Sequence, residues 1–295
     1  MNHTFVSELE LLMSKDKIIV VLTADMGYSV FEEIQKKYPQ RFFNTGITEQ
    51  SSTSIAAGLA LMGMEVYFYA QAPFITMRNF EQVRLDVAYN NLNVKLIGTN
   101  AGVSLNQLGM SHFAVEDVAL MRLLPNMSVF TPGSPREMKW SMQKAHTLKG
   151  PCYIRMTKNG TEDVKGVPVT NGTDGALFVS GGLLKMGKMI VDDLKLKNIS
   201  LSLYSVPLVS PFNVKQFIKQ AKDLPIFTLE EHSVVGGLGT IISETVVNAR
   251  MKNTVTKFGL NHAFIHITGS IDYLLKHNGI DPEKIKAKIA KELKK

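Results

Sequence analysis

The feature that most constrains this chain is a series of short, nearly continuous apolar runs, separated by helix-like stretches. The runs are IIVVLTA (18–24), VYFYAQ (66–71), KLIGTNA (95–101), MSVFTP (127–132) and CYIRMTK (152–158). Helical patterns fill roughly 50–63, 74–91, 115–124 and 134–146. A strand that is apolar on both faces must be covered on both, so the pattern predicts a parallel sheet between layers of helices. Ser134-Pro135-Arg136-Glu137 reads as a helix start, with a capping serine, a proline at the first helical position and a glutamate closing the box.

From Asn159 to Gly175 the pattern lapses into glycines, threonines, charges and one proline, which reads as a linker. It resumes with ALFVSGG, ISLSLYSVP, PIFTLEE and AFIHITG. The expected fold class is therefore α/β, with two consecutive three-layer α/β/α domains, 1–160 and 176–295, joined by a linker at 161–175.

Composition excludes several classes. With 45% apolar and 20% charged residues the chain is a normal globular one. No apolar run reaches the ~18 residues of a membrane helix, and MNHTFVSELELLMSKDK does not read as a secretory signal. One cysteine, Cys152, allows no internal disulfide or cysteine-rich metal site and fits a cytoplasmic protein. The net charge is +7, but the lysines are mostly spread along the chain. The densest stretch, Asp281 to Lys295, holds Ile285, Ile289 and Leu293 at helical spacing and reads as an amphipathic surface helix. No aromatics interleave with its charge, so nucleic-acid binding is not supported.

Ligands of open α/β sheets bind beyond the carboxyl ends of strands. Asp25, Gln71 to Phe74 and the long loop from Asn100 to His112 occupy such places. Simple motifs are weak: no G-x-G-x-x-G follows the first strand, and no G-x-S-x-G is present. VVGGLGT (234–240) is a poor phosphate loop and reads better as tight strand-to-helix packing. His262 and His266 fall on an expected strand, too spread to share a metal.

The informative stretch is RFFNTGITEQSSTSIAAGLALMGMEVYFYAQAPFITMRNFEQVRLDVAYN. It carries Gly46-Ile47-Thr48-Glu49-Gln50, then a small-residue helix, a strand, a phenylalanine-containing helix start and Gln82-Val83-Arg84-Leu85. Downstream lie Gly109-Met110-Ser111-His112, VPLVSPF, FTLEEHSVVGGLG and the Gly-Ile run at 269–280. In these motifs the chain resembles the thiamine-diphosphate enzymes of the transketolase family. The resemblance covers the pyrimidine-binding domain and a smaller, mixed-sheet C-terminal domain. The family's diphosphate-binding domain carries Gly-Asp-Gly, which is absent here. The resemblance thus implies the C-terminal subunit of a split transketolase, a transferase of two-carbon ketol units. It implies a separate N-terminal partner that holds the diphosphate and most of the Mg²⁺ (or Ca²⁺). It also implies self-association into a dimer within a heterotetramer, acting on sugars or sugar phosphates.

The resemblance also assigns residues. Glu49 matches the glutamate that bonds the cofactor's N1′, in a dry pocket, and promotes loss of the thiazolium C2 proton. Phe74, with Phe80 next, matches the aromatics around the pyrimidine. Asp25, Arg78 and Gln82 fall near the cofactor. His112 matches a substrate-binding and proton-donating histidine. Ser29 and Lys158 match positions near the sugar phosphate, Asn100 falls at a substrate-side position, and Arg155 and Arg78 are further basic candidates. The family commonly has histidine at Asn100, an acid at Leu108 and arginine at Lys158. These departures imply a substrate other than the ordinary pentose phosphates, such as a modified sugar of a specialised or polysaccharide pathway. A 1-deoxyxylulose 5-phosphate synthase-like enzyme, a 2-oxo-acid dehydrogenase β subunit and a non-catalytic regulatory subunit are the alternatives.

Overall fold

The computed structural model describes residues 1–158 and 169–293. Its strands show why the apolar runs are continuous. The first two long ones are β1 (Ile19–Thr23) and, after the short β2 (Phe42–Asn44), β3 (Glu65–Gln71). β4 (Val94–Thr99), β5 (Ser128–Phe130) and β6 (Cys152–Arg155) follow. Alternate side chains enter different cores. Val20, Leu22, Val66, Phe68 and Leu96 face one side. Ile19, Val21, Tyr67, Tyr69 and Ile97 face the other. Both faces are dry, as a two-sided helical cover requires.

The helices that supply this cover are α1 (Asn2–Lys15), α2 (Glu32–Lys37), α3 (Glu49–Leu61), α4 (Phe80–Gln82), α5 (Asp117–Arg122) and α6 (Pro135–Thr147). The start of α6 follows the expected box. Ser134 Oγ accepts from the Glu137 N–H at 3.3 Å, and the Glu137 carboxylate accepts from the N–H of Gly133 at 2.7 Å. The expected helix over 74–91 is irregular: residues 74–78 and 83–88 are π-helical, flanking α4.

The second half contributes β7 (Gly175–Ser180), β8 (Leu201–Ser205), β9 (Leu208–Ser210), β10 (Ile226–Ser233) and β11 (Val255–Leu260). Its helices are α7 (Leu184–Lys195), α8 (Val214–Ala221), α9 (Leu238–Asn248), α10 (Ile271–His277) and α11 (Pro282–Leu293). Two sheets result, ordered β2-β1-β3-β4-β6-β5-β9 and β11-β10-β7-β8. The α/β class and the two layered units are as the sequence implies. The second sheet, expected to be mixed, is parallel among its described strands. The antiparallel pairing belongs instead to the first sheet, where β9 joins the edge of β5.

AFIHITG, expected to be a strand, is not one. β11 is the preceding VTKFGL, and 261–270 is irregular. Ile265 is apolar because it enters the second core, not because it lies in a sheet. The strand placement of His262 and His266 falls with it. The expected linker lies partly outside the described residues. Its described end is not free, since the Val169 N–H donates to the Leu203 carbonyl at 2.8 Å and Leu203 N–H to the Thr170 carbonyl at 3.0 Å. The basic C-terminal stretch forms α11, with Ile285 and Ile289 buried and Lys286 paired to Asp193 at 2.6 Å.

Candidate functional site

The site is built at the carboxyl edge of the first sheet, where loops after β1, β2, β3, β4 and β6 converge. Three of the sequence candidates there have left-handed backbone: Asp25 (φ 47°), Ser29 (φ 59°) and Asn100 (φ 54°). Such strain at non-glycine residues persists where surrounding contacts enforce it. Asn44 enforces it at Asp25. Its Oδ1 accepts from the N–H groups of Asp25 and Gly46, each at 3.0 Å. Its Nδ2 donates to the Asp25 carboxylate, also at 3.0 Å. Sequence reasoning missed Asn44, although it lies two residues before the glycine of the motif.

Gly46, at φ 74°, then turns the chain into α3. This sets Glu49 in the first helical turn, with its side chain 4% exposed. The Glu49 carboxylate accepts from an Arg78 guanidinium nitrogen at 2.7 Å. The same guanidinium lies over the Phe74 ring, 3.9 Å from its centroid. The Phe74 ring in turn meets the His112 ring edge-on at 5.1 Å. Glu49, Arg78, Phe74 and His112 thus form one continuous cluster, drawn from α3, the π-helical turn and the long loop. Pro73 and the π geometry of 74–78 turn Phe74 and Arg78 toward it, a common use of π-turns. Ser111 Oγ lies 3.0 Å from His112 Nδ1.

Against this cluster opens a cleft of about 380 Å³ lined by Phe74, Arg78, Met110, Ser111, Glu116 and Phe264. Burial raises the Glu116 carboxyl above its ordinary value. Neither Glu116 nor Phe264 was a sequence candidate. Phe264 comes from the second half, whose 261–270 segment is bound to the long loop by the Asn106 amide donating to the Gly269 carbonyl at 2.5 Å. A larger cavity of about 550 Å³ lies between α6 and α8, beside Trp140, Phe212 and Phe217, and no sequence candidate lines it.

Other candidates fall into place differently. Asn100 donates to Gln71 at 3.0 Å, joining the ends of β4 and β3. Ser29 is exposed and its N–H is held by Glu32. Lys158 is exposed, and its N–H donates to Ser104 at 3.1 Å. Phe80 packs against the first core rather than joining the Phe74 cluster. Arg155 is not brought to the site. It is buried, paired to Asp117 at 2.8 Å, and donates to the carbonyls of Ala114 and Glu231. Its charge is consumed inside the fold, so it is not placed to meet a sugar phosphate.

VVGGLGT carries its own anion. The Glu230 carboxylate accepts from the N–H groups of Leu238 and Gly239 at 2.6 and 2.8 Å, filling the start of α9. That leaves no phosphate site there and bears out the packing reading.

The residues present fit an aminopyrimidine. The set offers a buried carboxylate, an aromatic face, and two buried amide oxygens, Asn79 Oδ1 and Gln82 Oε1, without hydrogen-bond partners among the described residues. Asn79 is tied to the helix of Glu49 by its bond to Thr53 at 2.6 Å. Among the described residues, the one group of carboxylates and histidine close enough to share a cation is Asp16, Glu65 and His146. It sits at the amino ends of β1 and β3, on the opposite edge of the sheet.

Comparison with known proteins gives the same picture. The model for "Transketolase, pyrimidine binding domain" matches residues 1–162 and that for "Transketolase, C-terminal domain" matches 165–285. The chain belongs to the transketolase family. A putative transketolase C-terminal section from Methanocaldococcus jannaschii is 33% identical, over 96% of this chain and 93% of that one. One of the subunits of an apulose-4-phosphate transketolase from Actinobacillus succinogenes is also 33% identical, over 85% and 84%. A solved structure described as "Split gene transketolase, inactive beta4 tetramer" superposes with a TM-score of 0.89 at 31% identity, covering 99% of this chain and 97% of that chain. This transketolase-family chain thus carries the family's pyrimidine-binding and C-terminal domains. No helix among the described residues is long and apolar enough to cross a membrane.

Proposed function

We propose that this chain is the pyrimidine-binding subunit of a two-chain, thiamine-diphosphate-dependent transketolase, active only with an N-terminal partner that holds the diphosphate and its Mg²⁺ or Ca²⁺. The observation that carries the reading is the buried Glu49 carboxylate joined through Arg78 to the half-buried Phe74 ring, which lines the cleft and meets the His112 ring. When bound, the cofactor supplies a carbon nucleophile that carries a two-carbon ketol unit from a ketose to an aldose. Glu49 would hold a proton at N1′, in a site dry enough for the bond to be strong. Phe74 would stack on the ring, and Asn79 and Gln82 offer acceptors for its amino group. His112, with Nδ1 engaged by Ser111, has Nε2 available for a substrate hydroxyl. Asp25, Ser29, Asn100 and Lys158 rim the same edge, where Ser29 and Lys158 would meet a phosphate.

The substrate is inferred to be a modified sugar. Asn100 stands where the family commonly has histidine, Leu108 cannot accept the bond that an acid there would, and one relative is named for apulose 4-phosphate. The partner requirement is supported by the exposed apolar face on α3 and by the relative described as an inactive tetramer of one chain. A cytoplasmic enzyme is the simplest setting for the single reduced thiol.

The test is co-expression with the protein encoded beside it, followed by a donor and acceptor sugar screen. Ketol transfer is expected only in the complex, and Glu49→Ala should remove nearly all of it. Full turnover by this chain alone with thiamine diphosphate and Mg²⁺, or near-normal rates in Glu49→Ala, would overturn the reading. Release of CO₂ from a 2-oxo acid would assign the chain to the decarboxylating relatives instead.

A further inference from the structure

We infer that Arg78 is a placeholder for the aminopyrimidine: it occupies the ring's carboxylate partner and stacking face in the cofactor-free subunit and leaves when the cofactor arrives. The inference rests on the proposed thiamine diphosphate site and concerns how that site is kept ready.

Three observations carry it. Arg78 makes both contacts that an aminopyrimidine would need here, a bond to Glu49 at 2.7 Å and a stack on Phe74 at 3.9 Å. A guanidinium is flat, nitrogen-bearing and able to stack while donating hydrogen bonds in its plane, so it matches that ring in shape and chemistry. While the guanidinium covers the Phe74 face and holds Glu49 Oε2, a ring can stack on that face only by displacing it.

The second observation is the need for a counter-charge. The Glu49 side chain is 4% exposed, and a buried carboxylate without a partner is costly. The third is the asymmetry of the pair. Glu49 is fixed in the first turn of α3, whereas the Arg78 side chain is 39% exposed and ends a π-helical turn. Arg78 is therefore the partner able to swing outward without breaking core packing.

The consequence is a toll on cofactor binding. If the pair is closed in about nine molecules of ten, the apparent affinity is about tenfold below that of the open site. In return the empty site neither collapses nor takes up a stray cation.

The experiment titrates thiamine diphosphate with Mg²⁺ into the cofactor-free complex of this chain and its N-terminal partner, by calorimetry. Wild type, Arg78→Ala and Arg78→Gln are compared, the last keeping side-chain bulk without the charge. Both variants should bind the cofactor up to about tenfold more tightly. Their cofactor-free complexes should melt below wild type, and their loaded complexes should melt with it. Equal or weaker cofactor binding would overturn the inference and make Arg78 a bystander or a ligand. Loss of assembly in both variants would overturn it too, as a structural role. If wild type itself binds no thiamine diphosphate, the proposed function falls rather than the role of Arg78 alone.

Discussion

Glu231 shows how a residue outside the motif can govern the loop that forms the site. It lies on β10, yet its carboxylate accepts from the Val103 N–H at 2.9 Å, at the start of the long loop that carries His112. Its other oxygen is buried and without a hydrogen-bond partner among the described residues. Burial pushes its carboxyl up to about 7 from an ordinary 4.5, with Arg155 acting the other way. Between those values the folded chain holds a proton that the unfolded chain has released. Stability therefore falls as pH rises through this window and levels off above it, with a limiting slope of about 1.4 kcal/mol per pH unit. Glu231→Gln fixes the neutral state. Urea midpoints measured from about pH 5 to pH 8 should show the variant gaining on wild type until pH 7 and then holding its lead. A constant difference across that range would remove Glu231 from this role. The sequence could not announce it, because Glu231 and Val103 are 128 positions apart. Arg155 misled for the same reason: charge is visible in a sequence, but its pairing with Asp117 is not. Glu49, Phe74 and His112 were singled out through the family resemblance, and the fold brings them into one cluster with Arg78.

Elements were legible where both of their faces are buried. β1, β3, β4 and β6 follow the continuous runs, since a central parallel strand has no polar face to write. β11 was missed because it is an edge strand, with Lys257 exposed and Val255 and Thr256 only half-buried. β2 was missed because it is three residues long and largely exposed. α9 was placed correctly, but its glycine-rich start needed the structure to be understood. The Glu230 carboxyl, raised above its ordinary value by burial, accepts from the first two N–H groups and caps the start of the helix. Glu230→Ala strips two buried N–H groups of their acceptor, and each such loss costs about 1–3 kcal/mol. A drop of at least about 2 kcal/mol in unfolding free energy is expected by chemical denaturation. A change below about 0.5 kcal/mol would mean that water or another side chain replaces the carboxylate.

At the scale of the whole molecule, the two sheets share a core. Val20, Leu22 and Phe68 of the first belong to the same apolar cluster as Ala176, Phe178 and Ile226 of the second. The Thr131 N–H and hydroxyl bond the carbonyls of Pro207 and Val206, and β9 completes the first sheet. One group of exposed apolar side chains lies at α3, with Ile55, Leu61 and Met62 beside exposed Leu85 and Tyr89. Ser54 on α3 donates to Asp86 at 2.6 Å, so the two segments present one continuous surface. The exposed side of α3 mixes these apolar side chains with Gln50, Ser51 and Ser54, and on the proposed function a second chain would cover it. Met62 and Tyr89 are each 80% exposed, so neither supports the monomer. Burying such a side chain in an interface is worth about 1.5–3 kcal/mol, and charging it forfeits that gain. Met62→Glu with Tyr89→Glu should weaken assembly by more than about a hundredfold while leaving the melting of the dissociated chain near that of wild type. Sedimentation of the chain alone, and with its partner, reads the outcome. An unchanged sedimentation profile in both mixtures would mean that the assembly is built on another face.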